Sequence, residues 1–271
     1  MILDPLLIAE LLLLGAFAGF LAGLMGVGGG MLMVPFITFV LTRRDVAPAL
    51  AVKMAIATSM ATIVFTSISS VRAHHRRGAV RWDVVRAMAP GIVVGSLLAG
   101  AGAFAVVKGS ALAIFFGLFV GTAATQMLID RRPKPTRLLP GMVGQTAVGA
   151  GIGFFSGLVG AGGAFMSVPF MTWCNVSVQN AVATSAALGF PIALANTLGY
   201  IYSGRDLPAT LPGTLGYVVL PILAVIAVGS MATAPLGARV AHAIDTRHLK
   251  RIFAVLLYGL AGYMFWRGFS A

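Results

Sequence analysis

Long apolar runs separated by short polar stretches dominate the chain. Ten can be drawn, at 5–25, 29–41, 48–71, 84–107, 110–129, 139–159, 163–173, 178–202, 213–235 and 248–269. Most approach the ~20 residues that a helix needs to cross the hydrocarbon of a bilayer. Two are short, 29–41 and 163–173, and these carry Pro35 and Pro169 directly after glycine runs. Each reads either as a thin tilted span or as one arm of a broken hairpin. The expected fold class is an all-α integral membrane protein with about ten transmembrane or half-spanning helices.

The pattern is duplicated. Residues 15–36 read GAFAGFLAGLMGVGGGMLMVPF, and residues 149–170 read GAGIGFFSGLVGAGGAFMSVPF. Gly15, Gly19, Gly23, Gly26, Gly28, Gly29, Pro35 and Phe36 align with Gly149, Gly153, Gly157, Gly160, Gly162, Gly163, Pro169 and Phe170 at an offset of 134 residues. A second matched pair follows, AIATS at 55–59 and AVATS at 181–185. Two corresponding Gly/Pro-interrupted segments in a duplicated membrane chain are the sequence pattern of a secondary transporter.

Charge sets the topology. Thirteen of the nineteen Lys and Arg residues fall in three stretches, 72–86, 130–137 and 239–251. All three share one side if each glycine-motif pair crosses twice or re-enters, and the positive-inside rule makes that side the cytoplasm. Each half then holds five segments, an odd number, so the repeats are inverted and both termini lie outside. The first repeat is 1–129 with glycine motif 26–30, the cytoplasmic basic linker is 130–138, and the second repeat is 139–271 with motif 160–163. The formal charge of +12 is therefore a topology signal and not a nucleic-acid footprint. With 59% hydrophobic and 10% charged residues, the composition excludes a soluble domain. Cys174 is the one cysteine, so no intrachain disulfide forms, and it reads as a packing residue. The first apolar run lacks a basic leader and reads as a retained span.

Glycines 15, 19 and 23, like 149, 153 and 157, recur every fourth residue and suit close helix packing. Gly26, Gly28, Gly29 and Gly30, with Gly160, Gly162 and Gly163, break the helix. Such a break has two readings. It is a purely structural interruption, or it frees backbone N–H groups at a helix N-terminus to hold an anion. Thr58, Ser59, Thr184 and Ser185 are candidate hydroxyl donors, against the alternative that each bonds its own preceding turn. Asn196 is a candidate donor or interhelical glue. Lys53 attracts anions or snorkels to the interface, and His74 and His75 read as loop-surface residues. No Asp or Glu lies in the middle of any apolar run, whereas cation-coupled carriers keep buried carboxylates. The carboxylate-free interior suits a small anionic substrate. No metal cluster, phosphate-binding loop or nucleophile constellation is present, so neither a cofactor nor an enzyme is expected.

The doubled GxxGxGG…P motif, each copy followed by AxxTS, resembles the TauE/SafE-type sulfite exporter family. HHRRGAVRW at 74–82 and TSAALGFPIALANTLGYI at 184–201 fit the same pattern. The resemblance covers nearly the whole chain. It implies movement of sulfite, sulfonates or related sulfur-containing anions across the bacterial inner membrane, by a carrier with alternating access. An anion channel, or a structural or signalling membrane protein, is the alternative. One departure is Ala164, which stands where the first copy has Gly30.

Overall fold

The computed structural model describes residues 4–25, 29–129, 137–207, 213–241 and 247–270. Ten helices account for nearly all of them. They are α1 (Pro5–Met25), α2 (Gly30–Thr42), α3 (Pro48–His75), α4 (Trp82–Val106), α5 (Gly109–Ile129), α6 (Met142–Val159), α7 (Ala164–Trp173), α8 (Val178–Ser203), α9 (Leu220–Ala241) and α10 (Arg247–Ser270). Eight are long and apolar enough to cross a membrane; α2 and α7 are not. An apolar environment leaves a chain no water to satisfy its backbone, so long apolar runs close their own hydrogen bonds as helices. The 21 residues of α1 extend about 31 Å, which matches the ~30 Å hydrocarbon core.

Two departures from the expected segments have local causes. The run 213–235 begins with a short antiparallel hairpin, Thr214–Leu215 paired with Val218–Val219, turning on Gly216 at φ +55°. The helix α9 therefore starts at Leu220 and continues to Ala241. Helix α4 widens to π-helical geometry over Leu98–Ala103. There the backbone of Gly100 lies against Asn196 and Gly199 of α8, and the wider turn accommodates that close approach.

Helices α3 and α8 form the centre. In their most apolar windows 72% and 67% of residues are buried, against 33–39% for the other six spans. Around them α1 packs on α9, α4 on α6 and α5 on α10. The glycine spacing seats the first two pairs. A Cβ on Gly15 would lie 2.5 Å from the Ile226 carbonyl oxygen of α9. Gly19 and Gly23 meet Ser230 and Ala234 in the same way. On the other side Gly149 and Gly153 lie against Met88 and Ile92 of α4. Small residues let these backbones touch, and dispersion along the whole seam holds them.

Each glycine-motif pair is a hairpin whose open end is tied. Asp4 before α1 pairs with Arg44 after α2 at 3.3 Å. The Arg137 N–H before α6 donates to the Trp173 carbonyl at the end of α7, and its guanidinium stacks 4.3 Å from the Trp173 ring centre. The first and third basic stretches meet directly, because Arg77 donates to the carbonyls of Ala238 and Arg239. Residues 130–136, most of the basic linker, lie outside the described residues.

Candidate functional site

The two glycine motifs touch at the centre of the molecule. Gly30 packs against the carbonyl of Gly160 and comes within contact of the Ala161 backbone, so a side chain on Gly30 has no room. Gly29 and Gly163 are the N-caps of α2 and α7, with φ +71° and +76°. These left-handed conformations suit glycine and strain any residue with a Cβ. Gly26 and Gly28 lie outside the described residues.

The turn into α7 leaves donors unpaired. The Gly163 carbonyl accepts from both Met166 and Ser167. The N–H groups of Gly162, Gly163, Ala164 and Phe165 have no acceptor among the described residues. Gly162, Gly163 and Ala164 are buried. A helix N-terminus leaves its first amides unpaired, and buried ones need a partner. Gly162 also lines a small cavity of about 10 Å³ with Ser70, Ser67, Thr66, Ala22 and Gly189. That volume admits about one water. The Ser70 hydroxyl is unpartnered although the residue is only 2% exposed. The orphan hydroxyl and Gly162, the first residue of the amide run, thus line one small cavity, and no acidic side chain is buried among the described residues. No group of metal-ligating side chains occurs among them either.

The duplicated hydroxyls do a different job from this cavity. Thr58 Oγ1 accepts from the Val219 N–H at 3.0 Å, and Thr184 Oγ1 accepts from the Arg81 N–H at 3.0 Å. The two bonds correspond, since Val219 immediately precedes α9 and Arg81 immediately precedes α4. Both threonines are fully buried. The Arg81 side chain turns to Asp83 at 2.6 Å, and this hydrogen bond raises the guanidinium above its ordinary value. Ser59 donates to the Gly160 carbonyl at 3.3 Å, and Ser185 accepts from Ser167 at 2.9 Å. The two serines therefore fasten the central helices to the second motif and its helix.

Asn196 Nδ2 donates to Ile192 and Gly153 carbonyls, while its Oδ1 is buried without a partner against Gly157. Lys53 lies on α3 one turn before Ile56, which packs against Gly160. Its ammonium donates to the Ala105 carbonyl at 3.2 Å and sits over the Phe104 and Tyr217 rings. His74 corrects a sequence expectation, for it is 1% exposed with Nε2 3.1 Å from the Gly23 carbonyl. Helix α3 runs to His75 and tucks beneath the end of α1, where glycine leaves space. Tyr200, not among the expected site residues, donates to the Gly157 carbonyl. His74 and Tyr200 are 126 residues apart, the same offset that relates Thr58 to Thr184 and Ser70 to Asn196. That offset was the available signal for Ser70 and Tyr200.

With this geometry in place, the chain matches the "Sulfite exporter TauE/SafE" family over residues 11–264. The chain belongs to the TauE/SafE family. Among its relatives is a probable membrane transporter protein of Haemophilus influenzae, 34% identical over 94% of this chain and 96% of the relative. A probable membrane transporter protein of Methanocaldococcus jannaschii is 28% identical, over 93% of each chain. Another, YunE of Bacillus subtilis, is 26% identical over 72% of this chain and 78% of the relative. No solved structure matches. This TauE/SafE chain is thus a multi-pass membrane protein in a family of membrane transporters.

Proposed function

We propose that this protein is a secondary carrier for a small sulfur-containing oxyanion, sulfite or an organosulfonate, in the bacterial inner membrane. The anion binds where the glycine motifs meet, at the amides leading into α7 and the hydroxyl of Ser70. The observation that carries this reading is the run of unpaired amides at Gly162–Phe165 together with the orphan buried hydroxyl of Ser70 in the cavity that Gly162 lines. An oxyanion offers several acceptors to such donors, and the positive end of a helix favours its charge. Gly30 of the first motif, which abuts the Gly160 carbonyl, closes the cradle from the opposite side. Thr58, Ser59, Thr184 and Ser185 brace the helices around it, and Asn196 Nδ2 ties α8 to α6 through the Gly153 carbonyl.

The carrier is built from two inverted repeats, 1–129 and 139–271, joined by the basic linker 130–138. Exchanging the halves turns the α1–α9 contact into α6–α4, α3–α9 into α8–α4, and leaves α3–α8 and α5–α10 unchanged. The paired bonds of Thr58 and Thr184 obey the same exchange. The three basic stretches lie on the cytoplasmic face. A cavity sized for about one water does not hold sulfite, so entry requires α3 and α8 to part. That motion between halves gives alternating access.

The test is transport by purified protein in liposomes. A carrier gives saturable counterflow of labelled sulfite that unlabelled sulfite or a sulfonate stimulates from the far side, and calorimetry gives matching selectivity. Non-saturating flux without counterflow would mean a channel. Absence of binding to sulfite, sulfate, thiosulfate and sulfonates would remove the anion reading altogether.

A further inference from the structure

A second anion-directed feature lies away from the motifs, between the last turns of α3 and α9. Ser69 and Arg72 of α3, with Arg76 and Arg77 just after it, face Met231, Pro235 and Arg239 of α9 across a groove of about 310 Å³. Four guanidinium groups line it, and none of them forms an ion pair among the described residues. Arg77 is fixed across the gap by its bonds to the Ala238 and Arg239 carbonyls, at 3.2 and 3.4 Å. Ser69 closes the floor by donating to the Met231 carbonyl at 2.9 Å.

Four like charges held together repel one another, and an occupant with negative charge relieves that repulsion. The arginines lie at one end of the groove only. Along the same helix faces toward the membrane centre come Ile68 and exposed Phe65 on α3, and exposed Met231 and Val228 on α9. From Arg76 to Phe65 the α3 axis covers about 16 Å. An occupant must therefore carry an anionic head and a long apolar tail. We infer that this groove binds an anionic phospholipid, its phosphodiester held by Arg72, Arg76 and Arg239 and an acyl chain lying against Phe65, Ile68 and Met231. Guanidinium forks match phosphate oxygens bidentately, and basic pockets between membrane helices suit such headgroups. The site stands independently of the transported substrate.

The experiment uses the full chain in nanodiscs and detergent. Titration of parent protein with phosphatidylglycerol, followed by native mass spectrometry and thermal unfolding, should show saturable binding and a raised Tm. Phosphatidylcholine should give neither. The variant R72K/R76K/R239K keeps the charge, and so the topology signal, but loses the planar forks. It should bind phosphatidylglycerol about tenfold more weakly, the loss of roughly one charge-assisted hydrogen bond. R72Q/R76Q/R239Q should abolish the preference over phosphatidylcholine, with Arg205→Gln as the unaffected control. Equal response to the two lipids in the parent, or unchanged affinity in the lysine variant, would overturn the inference. So would inorganic phosphate producing the same shift and displacing the lipid, since the groove would then be a free-anion site.

Discussion

Replacing Ser70 with alanine separates the roles of the two hydroxyl sets. The change deletes one oxygen from a side chain that is 2% exposed and has no hydrogen-bond partner. No intramolecular bond is lost, and an unsatisfied buried hydroxyl costs about 1–3 kcal/mol to keep. The empty protein should therefore unfold at the same temperature as the parent or slightly higher. Binding should respond differently. A hydrogen bond from Ser70 to an oxyanion is worth about 1.5–3 kcal/mol, so sulfite affinity should fall about ten- to a hundredfold at 1.4 kcal/mol per decade. Calorimetry with sulfite, alongside thermal unfolding without it, reads both quantities on one preparation. If S70A binds sulfite like the parent, Ser70 does not touch the substrate and the cavity beside Gly162 is not the site. If S70A is markedly less stable, the hydroxyl has a structural partner and the reasoning from its isolation fails.

The segments that the apolar pattern marks out are almost all helices, because in lipid the helix is the cheapest way for a lone segment to satisfy its backbone. The run 213–235 is the instructive exception. Tyr217, Val218 and Val219 are buried and apolar whether they start a helix or form a strand, so periodicity alone cannot separate the two. The packing role of the six glycines spaced by four is legible because backbone approach follows from spacing. The roles of the paired threonines are not. Thr58 accepts from a residue 161 positions away and Thr184 from one 103 away. A polar side chain on an apolar helix shows that a partner is needed, but which partner depends on how the two halves dock. His74 fails for a related reason. It sits among the exposed residues Arg72, His75, Arg76 and Arg77 in sequence, and its burial comes from the end of α1 folding over it.

Three further outcomes follow from the geometry. Thr58→Val and Thr184→Val each leave a buried backbone N–H, of Val219 or Arg81, unpaired. Each should lower unfolding stability by about 1–3 kcal/mol, with Thr→Ser restoring most of it; parental melting in both valine variants would contradict this. Gly29→Val and Gly163→Val place a β-branched residue at φ +71° and +76°. At Gly163 the new Cβ lies 2.7 Å from Ile192 Cδ1 and 2.9 Å from Ile152 Cγ2. Both variants should reach the membrane yet lose sulfite binding, and normal affinity in either would return that glycine to packing alone. The last outcome concerns sidedness, probed by single cysteines at His75, Gly141 and Arg205 in a Cys174→Ala background. Thr184 near the start of α8 bonds Arg81, a few residues beyond His75, so the start of α8 and the end of α3 share a side. The 26 residues of α8 then rise about 39 Å, more than a bilayer core, before Arg205 is reached. Gly141 precedes α6, whose open end is tied to the end of α7 through Arg137 and Trp173, just before α8 begins. His75→Cys and Gly141→Cys should therefore react with an impermeant maleimide from the cytoplasmic face, and Arg205→Cys only from the periplasmic face. Labelling of positions 75 and 205 from the same face would break the inverted arrangement, because α8 could not then be a span.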